Sequence, residues 1–366
     1  MQSQVYYCLN LDGRHAFSET MMVWALVGEG IILGTALALW FGHGVWLRWH
    51  RARTGPVLAR ARATLAEALE NGQLSSLNLQ LLQTLPFQLQ IKLFRDVAPS
   101  LGGTQRRWLT TLAEELGLIA KAERLCLSRF WWRRLEGAHL LTLLGGRAEA
   151  TKPLLQDPHL MVRVPAIEWA ADHPTPDLAI ALLALLDDPS GINRLAVQDG
   201  LLRMGSIAVD PLAEYLGSHS GHQVVPALEV AVGLAAQPFL GPALELCEDE
   251  SPKVRALVAT LLGVLGGIQG VSKLPTFLQD PDPRVREAAA RATGKLGFWP
   301  SAPRLATLLR DPVWEVRRES GLALRALGSP GLLVLRRALS DLDPFASDIA
   351  RQVLDLPDPA GLATKR

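Results

Sequence analysis

The feature that most constrains this chain is a seven-residue motif that recurs at a fixed spacing. Each copy begins with Asp and ends with Arg, and the copies are Asp157–Arg163, Asp188–Arg194, Asp249–Arg255, Asp280–Arg286 and Asp311–Arg317. Successive arginines lie 31, 61, 31 and 31 residues apart, so one repeat, near Val225, has lost the motif. A period of this length indicates a solenoid, because each unit must bury its apolar face against its neighbours.

Each repeat has the pattern of two helices. After Asp280, the apolar residues Val285, Ala289 and Ala292 follow at helical spacing, and Gly297 is suited to end that helix. Glycine stands eleven residues after the motif arginine in other repeats as well, at Gly205, Gly266 and Gly328. We expect the motif Asp to cap the second helix. We also expect the motif Asp and Arg residues to form a ladder of ion pairs between successive repeats.

These repeats resemble HEAT repeats, in particular the short bacterial kind also found in phycobilisome lyases. The resemblance covers residues 132–356, and Arg134 with Gly145 looks like an earlier, degenerate unit. It implies an all-α fold, an α-solenoid of helix pairs over residues 131–356. Residues 48–130 have helical patterns that do not follow the 31-residue spacing, so we expect four or five helices that cap the array. We expect residues 357–366 to be disordered.

Residues 21–47 predict a single transmembrane helix ahead of the solenoid. Spanning a bilayer takes about 20 apolar residues, and Glu29 and His43 are the only ionisable side chains in this stretch. Five arginines follow it, at Arg48, Arg51, Arg53, Arg60 and Arg62. The positive-inside rule therefore places residues 1–20 outside and the solenoid in the cytoplasm, with the helix in a bacterial inner membrane. A cleaved signal peptide is the alternative, although the positive charges of a signal peptide should precede its apolar stretch, and here they follow it. The expected start of the protein is Met1, Met21 or Met22.

A possible contact face lies within this helix. Gly30 and Gly34 form a G-x-x-x-G motif, which permits close approach of a second helix. Glu29 precedes it, and a carboxyl group within a membrane usually faces protein or water. We expect a partner helix at Glu29, Gly30 and Gly34. The alternative is a lone anchor.

The sequence predicts no enzyme, cofactor or metal site. Deoxyhypusine hydroxylase is similar in architecture and uses His-Glu pairs to bind iron, but none of the eight histidines here precedes Glu. His219 and His222 lack a convincing third ligand for a metal. The pair Trp131 and Trp132 is more typical of helix packing than of ligand stacking. A bilin-lyase-like role is disfavoured by the predicted anchor.

Charge is segregated along the chain. Residues 48–134 contain fourteen Lys or Arg and six Asp or Glu, a balance of +8. Residues 157–250 contain three basic and fourteen acidic residues, a balance of −11, and residues 251–340 return to +8 with fourteen and six. Because each repeat of a solenoid touches only its neighbours, blocks along the sequence become blocks in space.

These features favour a non-enzymatic, membrane-anchored scaffold or adaptor that binds protein partners, including a membrane protein, on the cytoplasmic side. By analogy, we expect it to belong to an envelope, polysaccharide or signalling assembly. No small-molecule substrate and no nucleic acid are expected; the alternative is nucleic-acid binding by the basic C-terminal repeats. We expect second-helix residues to line the concave, partner-binding face, namely Glu287, Arg291, Lys295, Arg318 and Arg325.

Overall fold

The computed structural model describes residues 11–71, 75–98, 101–186 and 191–357. These residues form twenty α-helices and no strand. The chain divides into two compact units, Met1–Leu112 and Ala113–Arg366. The predicted disordered tail, 357–366, lies outside the described residues except for Pro357.

The first unit is dominated by one long helix, α1 (Leu11–Asn71), which is followed by α2 (Ser76–Thr84) and α3 (Phe87–Val97). The predicted transmembrane segment and the start of the predicted cap region therefore lie on one helix, with no break at residue 47. Near the end of α1, apolar residues spaced by three or four positions are buried, namely Leu58, Ala61, Leu65 and Ala68. Arg62 of α1 also pairs with Asp96 of α3.

The second unit contains eight helix pairs in the described part of the chain. We call the first helix of each pair its A helix and the second its B helix. In order, the pairs are α5 (Leu118–Cys126) and α6 (Trp131–Leu144); α7 (Ala148–Thr151) and α8 (Leu160–Asp172); α9 (Pro176–Leu183) and α10 (Gly191–Met204); α11 (Val209–Ser218) and α12 (Val224–Leu234); α13 (Leu240–Glu245) and α14 (Pro252–Leu265); α15 (Gly267–Phe277) and α16 (Pro283–Leu296); α17 (Ala302–Leu308) and α18 (Trp314–Ala326); α19 (Ser329–Ala338) and α20 (Pro344–Asp355). The helix α4 (Gly103–Glu115) precedes them.

Short 3₁₀ turns extend or precede several of these helices. They are Lys152–Gln156, Gly205–Ala208, Gly221–Gln223, Gln237–Phe239, Leu246–Glu248 and Trp299–Ser301. The array begins one helix earlier than the sequence predicts, because α5 is the A helix that packs against α6. The repeat without the motif is a complete pair, α11 and α12, whose apolar side chains still pack.

The B helices pack against one another from α6 to α20, and small residues set their separation. A Cβ atom on Gly263 of α14 would lie 2.5 Å from the Cβ of Ala292 on α16. A Cβ atom on Gly294 of α16 would lie 2.7 Å from the Cα of Ala323 on α18. Glycine at these positions lets successive B helices approach more closely than any side chain would allow.

Arginine–aspartate pairs join successive repeats. Arg255 donates from Nε and Nη2 to the two carboxylate oxygens of Asp280, at 2.8 and 2.9 Å. Arg286 does the same to Asp311, at 2.7 and 3.0 Å. In the first repeat, Arg134 reaches Asp157 at 2.6 and 2.8 Å.

The third nitrogen of each guanidinium, Nη1, donates to backbone oxygens of the turn that precedes the B helix carrying that arginine. The Nη1 of Arg286 donates to the backbone oxygens of Asp280 and Pro281, at 2.8 and 3.0 Å. Arg255 and Arg134 make the corresponding bonds to their own turns. One arginine side chain therefore donates hydrogen bonds both to the turn of its own repeat and to a carboxylate of the next repeat.

The motif aspartate does not cap the B helix, so that expectation is wrong. Its carboxylate instead accepts a hydrogen bond from the backbone N–H two residues on, and that later residue is the N-cap. The acceptor distance is 2.8 Å for Asp280 and 2.9 Å for Asp311. At Asp157, burial raises the pKa of the carboxyl, but the bonds from Arg134 and from the N–H of His159 outweigh it and lower the pKa. The carboxylate is thus held charged between the two repeats.

The ladder is interrupted around the repeat that lost the motif. Arg255 and Arg286 each pair with an aspartate 25 residues on. The residue 25 positions after Arg163 is Asp188, which is outside the described residues. The residue 25 positions after Arg194 is His219 instead of an aspartate. The buried Nε of Arg194 donates no hydrogen bond to a described residue. Asp249 receives the backbone N–H of Gly221 at 2.8 Å, since no arginine precedes it there.

The ladder also ends before the last repeat. Arg317 has Leu342 in place of the next aspartate, and its Nε is buried without a partner among the described residues. Its guanidinium lies over the ring of Phe345, at 4.7 Å from the centroid. Asp341 pairs instead with Arg310 at 2.7 Å.

Replacing Asp311 by Asn should lower the free energy of unfolding by about 3 kcal/mol, because it leaves the guanidinium of Arg286 buried without a counter-charge. The two side chains are only 13% and 4% exposed. Urea unfolding followed by circular dichroism measures the change. Asp341→Asn is the matched control, since it keeps the turn and affects Arg310, which is 58% exposed. Equal losses in the two variants would contradict a special role for the buried pair.

A second prediction concerns Ala235, which has φ +52° and is the only non-glycine residue with positive φ in the described ranges. It stands where Gly266 and Gly297 stand in later repeats. Ala235→Gly should raise the free energy of unfolding by about 1 kcal/mol, because the left-handed conformation strains a residue with a Cβ. The control is Ala236→Gly, where φ is −95° and a loss is expected. A loss in both variants would refute the assignment of strain.

Candidate functional site

The predicted partner-binding residues on the B helices lie in a network of ion pairs. On α16, Arg291 reaches Glu287 at 2.6 Å and Glu319 of α18 at 3.2 Å. Arg318 of α18 reaches the same Glu319 at 3.2 Å. Lys295 is exposed in the last turn of α16. The structure thus brings most of this set together, but it neutralises much of the charge.

Arg325 binds backbone oxygens at the end of the array. Its Nη1 donates to the backbone oxygen of Val353 at 2.6 Å, and its Nη2 donates to that of Pro357 at 3.0 Å. The carbonyl of Val353 lies in the last turn of α20, where helix geometry leaves it without an intrahelical partner, and Pro357 follows the helix. Arg325 therefore caps the last helix, and its place on a partner surface stays a prediction.

Several charges on the B helices of the acidic block also form ion pairs. Arg203 pairs with Asp172 of α8 and lies 3.9 Å from Asp199 on its own helix. Glu229 of α12 accepts from Gln198 at 2.8 Å and pairs with Lys253 of α14 at 3.3 Å. Charges on the B helices thus mainly connect neighbouring repeats.

The A helices from α9 to α19 show a different arrangement, with unpaired charges that are separated by sign. Within α9, α11 and α13 and the 3₁₀ turn after α13, every charged residue is acidic. All five are exposed and take part in none of the ion pairs formed by described residues; they are Asp177, Asp210, Glu214, Glu245 and Glu248. We call these five residues the acidic A surface.

In the next three A helices, α15, α17 and α19, every charged residue is basic. Lys273, Arg304, Arg336 and Arg337 take part in no ion pair with a described residue, and the last three are exposed. Large apolar side chains are also exposed on α15, on α19 and in the 3₁₀ turn before α17, with Ile268 91% exposed, Trp299 66% and Leu333 51%. We call these seven residues the basic A surface.

The position of each residue in the 31-residue repeat separates A helices from B helices in the sequence itself. The net charges counted over residues 48–134, 157–250 and 251–340 did not use this separation. Ile207, Ile268 and Trp299 occupy the same place in the repeat, 61 and 31 residues apart, and all are exposed. Once A and B helices are assigned in the register, the charges of the A helices can be counted separately. The block totals mixed paired charges of the B helices with unpaired charges of the A helices.

The predicted membrane contact lies on α1. One window of this helix, Leu26–Val45, is long and apolar enough to cross a membrane, and none of it is buried within the protein. Glu29 is exposed. A Cβ atom on Gly30 or Gly34 would meet no described atom within 4 Å. A contact of these residues with a partner helix remains a prediction.

The other polar candidates have local packing partners. The ring of His219 stacks on Tyr215 at 4.1 Å, and its Nδ1 lies 2.9 Å from the backbone oxygen of Tyr215. Trp131 stacks on His159 at 3.9 Å. No group of three or more His, Cys, Asp or Glu arranged for a metal occurs among the described residues.

Two cysteines are buried among helices of the array. Burial raises the pKa of Cys126 to about 12 and that of Cys247 to about 11. Both therefore remain protonated at neutral pH, and a protonated thiol is a weak nucleophile and metal ligand.

A protein-family model described as HEAT repeats matches residues 240–325 and 277–355. Among solved structures, the chain is similar to human deoxyhypusine hydroxylase, with 18% identity and a TM-score of 0.28, over 81% of this chain and 94% of that one. It is similar to the CpcE–CpcF complex of phycocyanin lyase from Nostoc sp. PCC7120, with 16% identity and a TM-score of 0.30, over 65% and 93%.

A third similar structure is that of Kap95p bound to RanGDP, with 13% identity and a TM-score of 0.45, over 76% of this chain and 47% of that one. No curated protein matches the sequence. Sequence identities this low to solved structures do not support a conclusion about function. Residues 240–355 thus match a HEAT-repeat family model, and the described array of eight helix pairs is an all-α solenoid.

Proposed function

We propose that this protein is a membrane-anchored, non-enzymatic HEAT-repeat scaffold that binds a basic protein partner through the acidic A surface. The observation that carries the proposal is the separation of unpaired charge on the A helices. Charges that bridge repeats stabilise the array, whereas five exposed carboxylates without ion-pair partners among the described residues have no such role.

A protein is the class of partner that suits this surface. The five carboxylates are spread over three successive repeats rather than gathered at one point, so a partner must be extended to reach them. Ile180 of α9 is exposed in the same region and adds an apolar contact. Charge of one sign on such a surface speeds encounter with a partner of opposite charge and excludes like-charged proteins.

Attachment to a membrane is supported by the apolar window of α1 and by the arginines that follow it in sequence. In the proposal, residues 1–20 lie outside a bacterial inner membrane and the solenoid lies in the cytoplasm. The face with Glu29, Gly30 and Gly34 contacts a helix of a second membrane protein. An envelope, polysaccharide or signalling assembly is the proposed setting.

The acidic A surface can be tested by crosslinking and pull-down of the full-length protein from membranes. Reversing Asp177, Asp210 and Glu214 to Lys should reduce the captured partner about tenfold, equivalent to about 1.4 kcal/mol of binding. The control reverses three exposed acids elsewhere, Glu315, Asp348 and Asp355, and should leave capture unchanged. Circular dichroism checks that both variants fold. Equal capture by the acidic-surface variant and the wild type would refute the proposal.

The contact of α1 with a partner helix needs a separate test. The double change Glu29→Gln and Gly30→Leu should abolish co-purification of a membrane partner, because it removes the carboxyl group and blocks close helix approach. The single change Gly42→Leu is the control at another exposed glycine of the same helix. Unchanged recovery with the double variant would support a lone anchor instead.

A further inference from the structure

We infer that the basic A surface rests on the anionic phospholipid surface of a bilayer. The proposed membrane attachment is a premise of this inference, which adds a second contact at the far end of the chain. The surface consists of Lys273, Arg304, Arg336 and Arg337 with Ile268, Trp299 and Leu333.

The charge of the surface has one sign and is available for binding. The helices α15, α17 and α19 contain no acidic residue. Arg310 is paired with Asp341, but Arg304, Arg336 and Arg337 are exposed and have no ion-pair partner among the described residues. Anionic headgroups attract such clusters of Lys and Arg.

The apolar side chains favour a bilayer over a purely electrostatic ligand. Ile268 and Trp299 lie 31 residues apart at the same position of successive repeats, and Leu333 follows on the next A helix. Large apolar residues combined with cations are typical of surfaces that insert into the region between headgroups and acyl chains. A nucleic acid would use the arginines but would leave Ile268 and Leu333 in water.

A groove between α17 and α19 adds a place for a lipid. Its volume is about 420 Å³, and it is lined by apolar residues such as Pro303 and Val334, by Arg337, and by the paired Arg310 and Asp341. The arrangement offers an apolar wall and a cation in the same groove, which suits the glycerol and phosphate region of a phospholipid.

The two A surfaces then have different roles. Like charge keeps the acidic A surface off an anionic bilayer, so its carboxylates stay available to a protein partner. The basic A surface takes the headgroups.

The test uses the full-length chain reconstituted in lipid nanodiscs that contain a photoactivatable phospholipid. One set is made of phosphatidylcholine alone, and the other contains about one quarter phosphatidylglycerol. Mass spectrometry locates the crosslinks. We expect label on the peptides with Ile268, Trp299 and Leu333 in the anionic discs and at least about tenfold less in the neutral discs, with further loss as salt rises.

The decisive variant reverses Arg304, Arg336 and Arg337 to Glu. It should lose the label on these peptides and keep the label on α1. A matched control reverses Glu315, Asp348 and Asp355 to Lys and should keep both. Trp299→Ser tests the apolar part and should reduce the label without changing the charge.

Label on α1 without label on the basic A surface in anionic discs would overturn this inference while the membrane attachment stands. Absence of label on α1 would refute the attachment itself. Equal label in neutral and anionic discs would refute the role of charge. Salt-sensitive binding of duplex DNA through the same three arginines, without lipid label, would favour a nucleic acid instead.

Discussion

Where the motif is kept, an arginine that serves two repeats at once fixes the register between successive repeats. No helix pair of this size buries its own apolar face, so each must be held in register with the next. Arg286 meets this need because one edge of its guanidinium binds Asp311 of the following repeat while Nη1 holds the turn before its own helix. The planar, multiply donating guanidinium makes this possible, and a lysine would not replace it.

Other ion pairs between repeats explain why charge on the B helices says little about binding. Arg291 and Arg318 both reach Glu319, and Arg203 reaches Asp172, so opposite charges in adjacent repeats neutralise one another. From α9 to α19 the charges on the A helices are in no ion pair with a described residue, and their sign changes between α13 and α15. A single array therefore presents two surfaces of opposite sign, suited to a basic protein and to an anionic bilayer.

The repeat near Val225 shows how much of the motif the fold can lose. Its B helix keeps its apolar residues, and the N–H of Gly221 replaces the missing arginine at Asp249. The substitutions have a cost: the Nε of Arg194 is buried without a described partner, and Ala235 takes the left-handed conformation that glycine adopts elsewhere. Apolar burial maintains the stack, while the ladder and the glycines adjust it.

The sequence alone determined the helix-pair solenoid, its 31-residue register and the apolar stretch of α1, because these follow from periodic burial and composition. It did not determine which charges are free. Glu315 and Glu319 look alike in sequence, yet Glu319 is buried and pairs with Arg291 and Arg318, whereas Glu315 is exposed. The start of the array at α5, the turn-closing role of Asp280 and the capping role of Arg325 likewise depend on residues 20 or more positions away, or on turn geometry. Only the tertiary structure decided these points, since ion pairing is a property of distance in space and the sequence states only distance along the chain.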